Sequence, residues 1–160
     1  MHRRLLAIAL ALAVIAATGG AANARRPRNL WATVNICDTD NHPDQLGIRA
    51  RAPGNGRRQR IWMRFRAQYR DNGRWRRAGS SPWRRVGSAR YTYQESGWTF
   101  EFDPGPTDDY LMRGVVRVEW RRHGKVLRHR RLVTSAHHPS RGADPTGYSS
   151  ATCHIRGFVA

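Results

Sequence analysis

From Leu30 onward the apolar residues recur mainly at every second position, the period of a strand with one face buried and the other wet. The run from Ile61 to Tyr69 is the clearest: Ile61, Met63, Phe65, Ala67 and Tyr69 share one side, and Trp62, Arg64, Arg66 and Gln68 the other. The same alternation groups Leu30, Ala32, Val34 and Ile36, then Leu46, Ile48, Ala50 and Ala52 against Arg49 and Arg51, then Trp98, Phe100 and Phe102 against Thr99 and Glu101. Met112, Gly114, Val116, Val118 and Trp120 continue the scheme, with Arg113, Arg117 and Glu119 opposite. Tyr91 and Tyr93 suggest a short strand. Val126 to Val133 reads as a bulged one, because Val126 and Leu127 are adjacent and Arg128 to Arg131 interrupt the period.

Residues that bend the chain or tolerate positive φ separate these runs, at Pro53-Gly54-Asn55-Gly56, Asp71-Asn72-Gly73, Asp103-Pro104-Gly105-Pro106 and His123-Gly124. Asn72-Gly73 and His123-Gly124 have the composition of hairpin tips. No segment combines helical periodicity with caps. The pattern predicts an all-β, antiparallel two-sheet sandwich of about seven strands.

The first 24 residues stand apart. Arg3 and Arg4 precede an apolar stretch from Leu5 to Ala17, and Ala22-Asn23-Ala24 has the small-x-small form cut by signal peptidase. The stretch is too short for a permanent span. The expectation is a signal peptide over 1–24, cleavage between Ala24 and Arg25, a basic arm over 25–29, and one secreted domain over 30–160. Export makes a disulfide durable, and Cys37 and Cys153 are the two cysteines available for it. Such a bridge would close a loop on the order of a hundred residues, which the chain-entropy view credits with about 4 to 5 kcal/mol. Residues 134–150 form a Gly/Pro/Ser-rich loop that Cys153 would return to the domain.

A resemblance covers about half of the mature chain. Tyr69-Arg70-Asp71-Asn72-Gly73-Arg74-Trp75 is similar to the central hairpin of fibronectin type III modules. Pro104-Gly105-Pro106-Thr107 followed by Tyr110, Arg113 and Val115 or Val116 resembles their Pro-Gly-Thr-x-Tyr-x-x-Arg-Val stretch. The resemblance implies an immunoglobulin-like sandwich in which Tyr110 locks a corner before the penultimate strand and Arg113 opens that strand. Two Asp residues inserted before Tyr110 depart from the motif, and no Cys stands two residues after it, so the immunoglobulin core disulfide is not the model for Cys37 and Cys153. A fold shared by so many functions implies binding or adhesion by analogy only. The chain also resembles small exported bacterial proteins of uncharacterised role.

Charge narrows the partners. The chain has 29 Lys and Arg against 11 Asp and Glu, a net charge of +18. All eight Asp lie in predicted turns; Glu95, Glu101 and Glu119 are in or near strands. Such an excess attracts anionic polymers or surfaces, such as nucleic acid, acidic glycans, teichoic-type phosphates or lipid headgroups, and it also keeps a secreted monomer soluble.

Two places concentrate the chemistry. Trp75-Arg76-Arg77 and Trp83-Arg84-Arg85 form a tandem pair joined by Ser81-Pro82, read as a binding loop that sets indoles beside guanidiniums; the competing reading buries both Trp as edge plugs. If the strands Ile61–Tyr69, Met112–Trp120 and Val126–Val133 are neighbours, as in the fibronectin-like order, the outer face of their sheet would add Trp62, Arg64, Arg66, Arg113, Arg117, Arg128 and Arg130. Asp38, Asp40 and Asp44 alternate, but without the central Gly and distal Glu of a calcium loop they read as a turn. His137, His138 and His154 lack metal-ligand spacing, and no cofactor motif is present. The sequence therefore reads as a non-enzymatic secreted module for an anionic polymer. The alternatives are a domain that recruits a cell-envelope protein through a sheet edge, and a small basic nuclease, whose carboxylate, His and Arg all occur here without a diagnostic spacing.

Overall fold

The alternating runs pair into two antiparallel sheets in a computed structural model that describes residues 28–157. The 1–24 signal segment, the Ala24–Arg25 cleavage position and all but the last two residues of the 25–29 arm lie outside the described residues. β1 (Trp31–Thr39), β2 (His42–Pro53) and β6 (Tyr93–Glu101) form a three-stranded sheet in the order β1-β2-β6. The second sheet has the order β4-β3-β7-β8, from β3 (Arg60–Asp71), β4 (Arg74–Ser80), β7 (Asp109–Arg122) and β8 (Lys125–Val133); β5 (Arg84–Ser88) also pairs with β3, and β9 (Thr152–Arg156) with β7.

The strands number nine among the described residues rather than about seven, for two local reasons. Pro82 has no amide hydrogen to give the ladder, so the edge strand breaks into β4 and β5. Ser81 bridges the gap: its backbone N donates to Phe65 O at 2.9 Å, and its hydroxyl accepts from Phe65 N at 3.0 Å. Trp75, Arg76 and Arg77 thus lie within edge strand β4 and Arg84 and Arg85 within β5, with Trp83 in the short break between them rather than in a long loop. At the other edge β8 leaves β7 at Val133, and β9 takes up pairing along Asp109 to Arg113.

Inward-facing residues match the predicted parity. Leu46, Ile48, Ala50, Ala52, Ile61, Met63, Phe65 and Ala67 are buried against Val34, Val116, Val118 and Trp120. Trp120 is fully buried, and its indole N–H donates to Pro53 O at 3.1 Å, so a large apolar group is enclosed with its one polar atom satisfied. The Cys37–Cys153 disulfide joins β1 to β9 and therefore one sheet to the other, with Cα atoms 5.4 Å apart.

Residues 134–150 have a seat. Thr33 and Asn35 point outward from β1 and are nevertheless buried. Thr33 Oγ1 lies 2.7 Å from Ser149 Oγ, Asn35 Nδ2 donates to Gly142 O at 2.7 Å, and Val34 N donates to Ser150 O at 2.9 Å. His138 stacks on Trp31 with ring centroids 5.1 Å apart.

Antiparallel pairing sorts the connections to two ends. The β1–β2 turn, the Asn72-Gly73 hairpin and the 102–108 segment share one end; residues 54–59, residues 89–92 and the His123-Gly124 hairpin share the other. Both hairpin tips have positive φ at two successive residues, as their composition predicts.

Candidate polyanion-binding face

The outer face of the six-stranded sheet gathers most of the predicted residues, because even positions of β3 and odd positions of β7 point away from the core. In register, Trp62 pairs with Glu119, Arg64 with Arg117 and Gln68 with Arg113. On the other side of β3, Trp62 pairs with Arg85, Arg66 with Ser80, Gln68 with Arg77 and Arg70 with Trp75. Trp62, Arg64, Arg66, Trp75, Arg77, Trp83, Arg85, Arg113 and Arg117 therefore share this face.

Arg76 and Arg84 have the opposite parity. Arg76 binds Asp71 at 3.1 Å across its hairpin, and Arg84 lies over Trp98 of the other sheet, 5.4 Å from the ring centroid. Arg128 and Arg130 also leave the face. A register shift opposite Trp120 and Arg121 puts Arg130 against Val118 and Arg128 against Trp120, on the core side, and brings His129 and Arg131 outward instead.

Indoles and guanidiniums alternate across the face. Arg117, Trp83, Arg121 and Trp62 follow one another, with guanidinium-to-centroid distances of 5.8, 4.7 and 4.8 Å. Trp75 lies between Arg113 at 4.0 Å and Arg70 at 5.7 Å. Each such contact contributes about 0.5 to 2 kcal/mol, depending on how dry it is. The half-buried indoles are thus neither core plugs nor open platforms; they brace arginines.

Glu119 is the buried carboxylate in the middle of this face, 2% exposed; Asp109, at the start of β7 with the same parity, is half-exposed and paired with His154 and Arg156. It accepts from Arg117 Nε at 2.9 Å and from Arg121 Nε at 2.8 Å. Arg64, Arg66, Arg70, Arg77, Arg85, Arg113 and Arg131 have no carboxylate within ion-pair distance among the described residues. Arg64 Nε instead donates to Ser80 Oγ and Ser81 O, both at 3.1 Å. Burial, with Arg131 and Arg70 nearby, pushes the Arg113 pKa down from its ordinary value, a sign of crowded positive charge.

Arg121, Arg70, Arg131 and the central role of Glu119 escaped the sequence reading. Arg121 carries a signal in hindsight, since it continues the Arg113, Arg117 spacing one step past Trp120. The other candidates are engaged in structure. Asp38 accepts from Asp44 N at 2.8 Å and Arg156 N at 3.1 Å, His154 Nδ1 lies 2.7 Å from Asp109 Oδ1, and no cluster of three or more His, Cys, Asp or Glu suited to a metal occurs among the described residues. No helix among the described residues is long and apolar enough to cross a membrane. No family model, curated protein or solved structure matches this chain.

Proposed function

We propose that the protein is a secreted, monomeric, non-enzymatic module that holds an anionic extracellular or cell-envelope polymer on the outer face of its six-stranded sheet. The observation that carries this reading is the row of arginines held by Trp braces and one buried Glu while seven of their neighbours have no acidic partner. Along a strand, same-face residues recur about every 6.6 Å, and neighbouring strands stand about 4.8 Å apart. That grid suits a chain of regularly spaced phosphates, sulfates or carboxylates, each taken by guanidinium N–H groups. Because guanidiniums already lie against the indoles, recognition rests on the polymer's charged groups rather than on stacking with bases or sugars. Glu119 has both oxygens engaged by arginine, which favours binding over a nuclease-like use of that carboxylate with His129 across the strand.

The strand order supports a fibronectin type III or immunoglobulin-like classification: a β1-β2-β6 sheet faces a β4-β3-β7-β8 sheet, and Tyr110 near the start of β7 donates to Asp108 Oδ2 at 3.0 Å. The β9 addition and the Cys37–Cys153 bridge are departures from that plan.

Titration of the protein with inorganic polyphosphate and with a sulfated glycan, at rising salt, tests the function. Binding that weakens steeply with salt, and an Arg64→Gln/Arg66→Gln/Arg85→Gln variant with a shallower salt slope, are expected. Indifference to both polymers in dilute buffer would sink the reading, and hydrolysis of added RNA or DNA would replace it with the nuclease alternative.

A further inference from the structure

The two ends of the sandwich carry opposite chemistry. All eight aspartates and Glu101 belong to the end with the β1–β2 turn, the Asn72-Gly73 hairpin and the 102–108 segment; Asp144 joins them through Thr39 and Asn41. The two remaining acids, Glu95 and Glu119, are each ion-paired to two arginines. The opposite end has no acid in its connections. There Arg57, Arg58 and Arg60, Arg90, and Arg122 with Lys125 are all exposed.

The same end has the four exposed large hydrophobic side chains found among the described residues: Tyr91 at 68%, Leu127 at 54%, Val126 at 46% and Tyr93 at 42%. The loops bearing them are tied together. Gly54 N donates to Thr92 O, Asn55 N and Gly56 N donate to Ala89 O, and Ala89 N donates to Gln59 O, within 2.8 to 3.1 Å. The β7–β8 hairpin joins them where Arg128 covers Trp120, whose indole binds Pro53 O.

We propose that this end docks on an anionic lipid bilayer, cations to the headgroup phosphates and Tyr91, Leu127 and Val126 into the headgroup-acyl boundary. A soluble polyanion would be served by the cations alone. Exposed Leu, Val and Tyr at the same end as several Arg left unpaired among the described residues suit an interface where charge and apolar depth occur together. The far end concentrates the aspartates and, among the described residues, lacks this apolar cluster, which favours docking by the arginine-rich end and leaves the arginine-tryptophan face open at the side. The inference is independent of what that face binds.

Partitioning of the protein onto sedimentable phosphatidylglycerol/phosphatidylcholine vesicles at 0.1 M salt, against pure phosphatidylcholine, tests it. Binding to the anionic vesicles alone is expected. Each surface cation is worth about a five-fold gain in partitioning, so Arg58→Gln/Arg122→Gln should lose about 25-fold. Tyr91→Ser/Leu127→Ser should lose several-fold on vesicles and nothing on polyphosphate, with an unchanged unfolding midpoint because both side chains are exposed. Arg64→Gln/Arg66→Gln should stay within about two-fold of the parent, these sites being beyond a screening length from the membrane. Absence of partitioning, equal binding to neutral vesicles, or a Tyr91→Ser/Leu127→Ser variant that sediments like the parent overturns the proposal. The last result would reduce the end to a polyanion contact.

Discussion

Glu119 fixes Arg121: the carboxylate accepts from the guanidinium at 2.8 Å, and that guanidinium lies within 4.8 Å of both the Trp62 and the Trp83 ring centroids. One buried acid thereby orders two indoles through a single cation. Glu119→Gln keeps the shape and removes the charge, leaving Arg117 and Arg121 facing each other without compensation. The variant should lose about 2 kcal/mol, since Glu119 is buried but Arg117 is half-exposed, and its urea midpoint should fall accordingly. An unchanged midpoint would mean that the indoles hold the arginines unaided.

The two kinds of Trp should separate cleanly. Trp120→Ala empties a fully enclosed site and leaves Pro53 O without its donor, for a loss of about 3 to 5 kcal/mol. Trp83→Ala removes a brace and about 1 to 2 kcal/mol. Denaturant titration ranks them, and polyphosphate binding should fall in Trp83→Ala alone once folding is accounted for.

Reduction of Cys37–Cys153 frees a loop whose ends are 116 residues apart in sequence, and the unfolded chain gains about 4 to 5 kcal/mol of conformational freedom. Guanidinium midpoints with and without reductant measure this. A Cys37→Ser/Cys153→Ser variant should match the reduced protein.

His138 gives a pH signature. Burial against Trp31, with His137 and Arg51 nearby, pushes its pKa below the ordinary histidine value. A lowered pKa means that the unfolded chain takes up a proton first as pH falls. Stability from this group is therefore full above about pH 6.5 and declines as pH drops from there toward the folded-state pKa. Thermal midpoints at pH 7.5 and 5.5 should differ less in His138→Phe, which keeps a ring on Trp31 without the titration.

Much of the fold was written in parity. Ile61 to Tyr69 and Met112 to Trp120 each declared their buried side, so the sheet face bearing Arg64, Arg66, Arg113 and Arg117 was legible before any coordinate. Parity failed where the ladder slips: the shift opposite Trp120 and Arg121 reverses Arg128 and Arg130, and nothing in the adjacent Val126 and Leu127 says where it falls. In sequence the Ser81-Pro82 joint reads as part of a loop, because a break within a strand and a loop between strands look alike there. The burial of Thr33 and Asn35 had no sign in the alternation of β1; only the return of residues 134–150 across that strand covers them. The collection of every aspartate at one end is a property of strand order, which no local pattern contains.

The excursion over residues 134–150 begins and ends on β7, and the strand that follows it is bolted to β1 by sulfur. A protease that nicks this stretch would consequently not liberate the carboxy-terminal piece. The severed β9 would stay latched in the sheet as a second polypeptide until a thiol released it.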